Sequence, residues 1–129
     1  MVDDEETIVR MLEHGLVRLG YVPRGHTSSL SALEEFRSAP ANFDLIITDQ
    51  TMPKLNGLDL SREFQQVRAG IPIILCSGYA EVIEKGAARA AGIRRLLSKP
   101  MDLAQLSQVI NEALQPPGPG SSTPWTEKS

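Results

Sequence analysis

The sequence predicts an α/β fold in which helices cover both faces of a parallel sheet. Helical and strand patterns alternate along the chain after a first helix, and the segments "DLIIT" and "IPIILC" are apolar almost throughout. Alternation of this kind is typical of crossover units, and strands that are buried on both faces read as unbroken apolar runs. The chain has 129 residues and a net charge of −3. Its length is that of one domain with a single core.

The first two predicted elements are a helix and a weak strand. Apolar residues recur at helical spacing at Ile8, Leu12, Leu16 and Leu19. Gly20 is expected to end this helix. Residues 21–23 form a weak strand, and because Pro23 has no amide hydrogen, this strand should lie at a sheet edge or end there.

A second helix, which contains the apolar residues Leu30, Leu33 and Phe36, is predicted to run to about Arg37. Ser31 and Glu34 have the spacing of a capping box, but Ser28 and Ser29 are alternative caps. Pro40 should close this helix.

Three further strand–helix pairs complete the predicted domain. Strands are expected at residues 43–48, 72–76 and 93–98, and helices at 58–69, at 82–91 and after Asp102, which should cap the last helix. Residues 116–129 are dense in proline, glycine and serine, which is typical of a disordered tail or linker. The predicted domain therefore spans residues 1–115.

The composition narrows the class of protein. The apolar runs are much shorter than the ~20 residues of a membrane span, and no signal peptide is visible, so we expect no membrane association. The single cysteine, Cys76, cannot form an internal disulfide, and its apolar surroundings indicate a buried thiol in a reducing cytoplasm. The negative net charge is an argument against direct binding of nucleic acid.

Polar residues follow the predicted strands at the edge where parallel sheets bind their ligands. Asp3 and Asp4 precede the first helix, and Asp49, Ser77 and Lys99 come at the ends of later strands. Clustered carboxylates repel unless a cation joins them, and oxygen ligands suit Mg²⁺. A lysine and a hydroxyl suit phosphate oxygens. The set predicts a phosphoryl-transfer site with a carboxylate nucleophile.

Each of these residues taken alone has a simpler explanation. Acids before a helix can serve as caps and favour the helix dipole, and an aspartate such as Asp49 often starts a turn. Lys99 and Ser77 alone would read as solvated surface groups. The hypothesis therefore depends on all of them falling at strand ends, in register with the alternation.

The motifs that carry these residues are "VDDEE", "DLIITDQTMPKLNGLDL", "PIILCSGY" and "SKP". Together they resemble the receiver domain of response regulators in two-component signalling, over about residues 2 to 115. "TDQTMP" and "LCSGYAE" look most like receivers of hybrid sensor histidine kinases. The resemblance implies a flavodoxin-like, doubly wound, five-stranded parallel sheet of order 2-1-3-4-5. Of the family's first strand only Met1 and Val2 are present, so that strand is largely missing.

The resemblance also implies roles for individual residues. Asp49 would be the phosphoacceptor. Asp3, Asp4, Asp49 and the backbone carbonyl of Thr51 would bind Mg²⁺, with Asp3 acting largely through water. Ser77 and Lys99 would bind the phosphoryl group.

Other positions carry tuning or structural roles by the same resemblance. Thr51 and Tyr79 would tune hydrolysis of the acyl phosphate. Leu97 is taken as the position of an aromatic switch residue, which this chain lacks. Gly57 would let the loop turn, and Pro100 would follow a cis peptide bond.

The implied function is a signalling switch rather than a turnover enzyme, with at most slow self-dephosphorylation. A histidine kinase or phosphotransfer protein would donate the phosphoryl group. A downstream protein would read the surface of the fourth helix, fifth strand and fifth helix, about residues 82 to 114. The chain could also form a homodimer. The alternative is a pseudo-receiver that serves as a docking domain without phosphorylation.

Two other classes fit the sequence less well. A phosphatase of the haloacid-dehalogenase type would need a second acid where this chain has Thr51, and a cap domain that does not fit in this length. A flavodoxin-like cofactor binder would need a phosphate-binding loop after the first strand. The acidic "VDDEE" would repel phosphate without a metal.

Overall fold

The computed structural model describes residues 1–52, 55–78, 85–98 and 102–114. Tyr79, Lys99, Pro100 and the predicted tail lie outside these residues. The elements are α1 (Glu6–Arg18), α2 (Ser29–Ser38), a 3-10 turn (Pro40–Asn42), β1 (Ile46–Asp49), α3 (Gly57–Val67), β2 (Ile73–Ser77), α4 (Lys85–Ala90), β3 (Ile93–Ser98) and α5 (Leu103–Leu114). No helix among these residues is long and apolar enough to cross a membrane.

The sheet has β2 at its centre, with β1 and β3 on either side and all three strands parallel. Val2 extends it beyond β1, because this residue forms parallel bridges to both Thr48 and His26. Across the sheet the order is therefore His26, Val2, β1, β2 and β3. This is the predicted five-strand order, with its first two positions reduced to single bridges.

The prediction of an edge strand at residues 21–23 is wrong. The residue that pairs at this edge is His26, whose amide donates to the Met1 carbonyl at 2.9 Å. The His26 carbonyl in turn accepts from the Asp3 amide at 3.1 Å. Pro23 has no amide hydrogen to donate to a neighbouring strand. Val22 is 91% exposed, so its side chain does not pack on the sheet.

Two apolar layers pack on opposite faces of the sheet, which confirms the doubly wound arrangement. One layer joins α2, α3 and α4 to the sheet, and in it Phe36 and Phe64 meet edge to face with 5.0 Å between ring centroids. The other layer packs α1 and α5 against the sheet through residues such as Leu16, Ile74 and Leu106. These layers hold the strand ends that carry the site.

The helix caps lie close to their predicted places. The Ser28 hydroxyl accepts from the Ser31 amide at 3.3 Å, so Ser28 is the cap of α2 among the three candidates. The Asp102 carboxylate accepts from the Gln105 amide at 2.7 Å, which confirms the predicted cap of α5. Asn56 caps α3 through the Asp59 amide at 2.8 Å.

Candidate functional site

Three carboxylates meet at the carboxyl end of β1. Oxygen atoms of Asp3, Asp4 and Asp49 all lie within 4.8 Å of one another. Asp3 and Asp49 are buried, at 4% and 6% exposure, whereas Asp4 is exposed. The cluster is therefore anchored in the protein on two sides and open to solvent on the third.

Backbone pairing fixes the two buried acids. The Asp49 amide donates to the Val2 carbonyl at 2.9 Å, and Asp49 stands opposite Cys76 in the register with β2. Asp3 follows Val2 directly, and its amide donates to the His26 carbonyl. Hydrogen bonds on both sides of β1 therefore fix the position of Asp49, the last residue of this apolar strand.

The donor set fits a hard divalent cation. All three side chains offer carboxylate oxygens, and the exposed position of Asp4 leaves room for the water ligands that Mg²⁺ retains. One oxygen of Asp3 also accepts from the Glu5 amide at 3.0 Å, which orients this carboxylate. Three carboxylates this close repel one another, and a bound cation would relieve that repulsion.

The first turn of α3 packs directly on the end of β1 at Gly57. The Gly57 amide donates to the Gln50 carbonyl at 2.9 Å, and the Gln50 side chain accepts from the Leu58 amide at 3.0 Å. A Cβ atom at Gly57 would lie 2.5 Å from the carbonyl oxygen of Asp49 and would also meet the Leu75 side chain. The glycine is therefore required by close approach of two backbones rather than by a left-handed turn.

The second strand brings a hydroxyl to the same edge of the sheet. Ser77 is the last residue of β2, is half-buried and pairs with Ser98. Thr51 lies two residues beyond Asp49 and is exposed. The remaining predicted members of the site, Lys99, Tyr79 and Pro100, lie outside the described residues.

The structure does not bring Leu97 to the site. Leu97 is buried in the layer under α1 and α5, and it pairs with Cys76, which lies in the same layer. Ser77 and Leu96 face the other side of the sheet, because side chains alternate along a strand and Leu96 packs against the α2–α3–α4 layer. Leu96, like Ser98, therefore lies on the same face of the sheet as Ser77. Because Ser77 pairs with Ser98, the side chain one residue earlier in β3, that of Leu97, lies on the opposite face of the sheet.

His26 is a positioning residue that none of the sequence motifs quoted above includes. Its backbone holds Asp3, and its ring joins α2 through Ser31 at 3.1 Å and Glu35 at 2.5 Å. The hydrogen bond from His26 lowers the pKa of Glu35, with a further contribution from Arg24 at 3.0 Å. Pairing through the backbone depends little on residue type, so no sequence motif indicates it.

Comparison with known proteins gives a consistent result. The family model described as "Response regulator receiver domain" matches residues 1–111. The DNA-binding transcriptional regulator NtrC of Azospirillum brasilense is 36% identical over 124 residues, which cover 96% of this chain and 25% of that protein. The response regulator receiver protein CpdR of Brucella abortus is 28% identical over 114 residues, which cover 88% of this chain and 93% of that protein.

Solved structures show the same fold. A response regulator receiver domain protein from Clostridium thermocellum superimposes with a TM-score of 0.82 at 31% identity, covering 88% of this chain and 90% of that one. This chain spans only part of some relatives: 28% of the length of the transcriptional regulatory protein GlrR of Escherichia coli, and 25% of the length of NtrC.

Proposed function

The chain belongs to the response regulator receiver domain family of two-component signalling, and on this premise we propose that it is a phosphorylation-controlled switch whose phosphoacceptor is Asp49. The observation that carries the proposal is the convergence of three carboxylates at the tip of β1, with Asp49 as the last strand residue. Because the strand is paired on both sides, Asp49 is presented at a fixed place to an incoming phosphodonor.

The proposed reaction is transfer of a phosphoryl group from a phosphohistidine on a kinase or phosphotransfer protein. A carboxylate oxygen of Asp49 forms a bond to phosphorus as the phosphorus–nitrogen bond breaks and the imidazole leaves. The product is an acyl phosphate, which water later hydrolyses. A carboxylate is a weak nucleophile, so catalysis depends chiefly on positioning and on neutralising charge at the phosphoryl oxygens.

Asp3, Asp4 and Asp49 would hold Mg²⁺, and the backbone carbonyl of Thr51 is the further ligand that we propose. When bound, the ion supplies positive charge to the phosphoryl oxygens. Asp3 is oriented by the Glu5 amide, so its position is set before any ion binds. Asp4 is exposed and supplies the oxygen that is most accessible to solvent.

Ser77 and Lys99 are the residues that we propose to contact the phosphoryl group. The support for Ser77 is its position at the end of β2, the strand that pairs with β1. Lys99 follows Ser98 directly along the chain, and Ser98 pairs with Ser77. An ammonium group suits a phosphate oxygen. Thr51 and Tyr79 are proposed to tune hydrolysis of the acyl phosphate.

The readout is proposed to be a change in the surface formed by α4, β3 and α5, which a downstream protein recognises. β3 is tied to α5 by Arg94, which donates to the Ala113 carbonyl at 2.8 Å, and by the Arg95–Glu112 ion pair at 3.2 Å. A change that starts at Ser77 and crosses to its partner Ser98 therefore has a physical connection to this surface.

The proposal is tested by intact-mass spectrometry of the chain after incubation with acetyl phosphate and Mg²⁺. We expect a gain of one phosphoryl group that is abolished by Asp49→Asn and by chelation of the metal. Asp44→Asn is the matched control, because Asp44 precedes β1 and lies outside the acidic cluster. A folded chain that gains no phosphoryl group would favour the pseudo-receiver alternative.

Asp4→Asn tests the metal site separately. Calorimetric titration with Mg²⁺ should show weaker binding to Asp4→Asn than to the unaltered chain, because one of three carboxylates is lost. Glu5→Gln is the control, since Glu5 is exposed and is not one of the three clustered acids. Equal affinity for the two variants would contradict the assignment of the site.

A further inference from the structure

Gln50 follows the proposed phosphoacceptor directly along the chain and is held at three points. Its amide donates to the Cys76 carbonyl at 2.9 Å. Its carbonyl accepts from the Gly57 amide at 2.9 Å, and Oε1 of its side chain accepts from the Leu58 amide at 3.0 Å. The first bond continues the pairing of β1 with β2, and the other two reach the first turn of α3. Gln50 therefore joins the end of the sheet to the start of a helix.

The side chain of Gln50 acts as a helix cap that α3 receives from outside its own turn. The first amides of a helix have no partner within the helix and need other acceptors. In α3 the Gly57 and Leu58 amides both use Gln50, and the Asp59 amide uses the Asn56 side chain at 2.8 Å. Gln50 thus supplies two of the three acceptors of this turn, and the partly buried Leu58 amide depends on its side chain.

Close packing at Gly57 makes this second cap possible. A Cβ atom at Gly57 would lie 2.5 Å from the carbonyl oxygen of Asp49, so only glycine lets the helix begin this near to the end of β1. The Leu58 amide then lies within hydrogen-bond distance of the Gln50 side chain. The position of the first turn of α3 and the position of Gln50 are therefore fixed together.

The two neighbours of Gln50 along the chain supply oxygens to the proposed Mg²⁺ site. Asp49 offers a carboxylate of the acidic cluster, and Thr51 is proposed to offer its backbone carbonyl. The direction of the chain at Thr51 depends on the backbone dihedral angles of Gln50, which its three hydrogen bonds restrict. Groups that are ordered before binding lose less conformational entropy when they bind. Anchoring Gln50 should therefore strengthen the binding of Mg²⁺.

We propose, on the basis of the function proposed above, that Gln50 is a positioning residue of the metal site. Its side chain ties the loop that begins at Thr51 to α3, so that the Asp49 carboxylate and the Thr51 carbonyl are placed for Mg²⁺ before the ion binds. Coupling between two equilibria is reciprocal, so a bound ion should strengthen the hydrogen bond from Leu58 to Gln50 by the same factor.

The test measures Mg²⁺ binding by calorimetry and Leu58 amide hydrogen exchange by NMR, both without a phosphodonor. In the unaltered chain, exchange at Leu58 should slow by about threefold to tenfold on saturation with Mg²⁺, which corresponds to one net hydrogen bond. Gln50→Met keeps the length of this half-buried side chain but offers only a thioether, which is a weak acceptor. This variant should bind Mg²⁺ about threefold to tenfold more weakly, and its Leu58 exchange should no longer respond to the ion.

Three further variants separate positioning from helix stability. Gln50→Glu keeps an oxygen acceptor at the end of the side chain, so it should restore tight Mg²⁺ binding and the response of Leu58. Asn56→Ala removes the neighbouring cap from the same turn and should lower the free energy of unfolding, but it should leave the affinity for Mg²⁺ unchanged. Gln66→Met makes the same substitution at an exposed position near the end of α3 and should change neither readout.

The proposal is overturned if Gln50→Met binds Mg²⁺ as tightly as the unaltered chain, or if Gln50→Glu binds it as weakly as Gln50→Met. Equal weakening by Asn56→Ala would also overturn it, because Gln50 would then act only through the stability of α3. In these three cases the unaltered chain still binds Mg²⁺, and the proposed function stands. A folded, unaltered chain that binds no Mg²⁺ would overturn both proposals.

Discussion

Replacing Gly57 with alanine tests the packing that supports the phosphoacceptor. The new Cβ would lie 2.5 Å from the Asp49 carbonyl oxygen and 3.0 Å from the Cα of Gln50. Both contacts are to backbone, and Asp49 is held by Val2 on one side and by the β2 register on the other. The collision therefore cannot be relieved by rotating a side chain.

The expected loss of stability follows from two opposing effects. Overpacking of this kind costs about 1–3 kcal/mol, and alanine regains less than the ~1 kcal/mol of helix propensity because Gly57 is the first residue of α3. We expect Gly57→Ala to lower the free energy of unfolding by about 1–2 kcal/mol, which is roughly 4–8 °C in Tm for a small domain. Urea unfolding followed by circular dichroism measures it.

Gly15→Ala is the control for this prediction. Its Cβ would meet the methyl ends of the Leu103 side chain at 2.8 Å, and a flexible side chain can move away. Gly15 is also interior to α1, where alanine gains ~1 kcal/mol of propensity. We expect the free energy of unfolding of Gly15→Ala to be higher than that of Gly57→Ala. If Gly57→Ala were as stable as the unaltered chain, the close approach of α3 to β1 would be refuted.

Two further predictions concern the hydrogen bond between His26 and Glu35 and the apolar layer under α1 and α5. The hydrogen bond from His26 lowers the pKa of Glu35, so the charged Glu35 carboxylate stabilises the folded state. This stabilisation is present above the ordinary pKa of 4.5 and is lost as the pH falls through the lowered pKa. The stability difference between the unaltered chain and Glu35→Gln should therefore shrink between pH 7 and pH 3 in urea titrations, and a difference independent of pH would contradict it. Leu97→Ala should cost about 2–5 kcal/mol in unfolding, because Leu97 is 5% exposed in the α1–α5 layer. A cost below 1 kcal/mol would argue against that burial.

The sequence predicted the parts of the fold that depend on residue type. The apolar run before Asp49 indicated a buried strand, and the aspartate at its end indicated a ligand edge, because both signals come from burial and charge. Asp102 was correctly predicted as a cap, since capping needs a particular side chain. The bounds of β1 and α3 differ from the prediction by one to three residues, since strand and helix ends are set by pairing and packing.

The parts that sequence reasoning missed depend on backbone placement. The bridge from Val2 to His26 replaces the expected strand at residues 21–23, and nothing in the residue types indicates which loop amide will pair. The resemblance assigned Leu97 to the switch position, whereas the alternation of side chains along β3 places it in the α1–α5 layer, on the face opposite Ser77. Gly57 was expected for its turn, but the contact that requires it comes from the carbonyl of Asp49, which only the folded backbone shows.

The most direct test of Asp49 as the phosphoacceptor is to locate the phosphoryl group. The chain is treated with acetyl phosphate and Mg²⁺, the acyl phosphate is reduced with borohydride, and the products are mapped by tandem mass spectrometry. Homoserine should replace aspartate at position 49 and at no other acid. Reduction at Asp3 or Asp4, or at none of the three, would contradict the assignment of Asp49 as the phosphoacceptor.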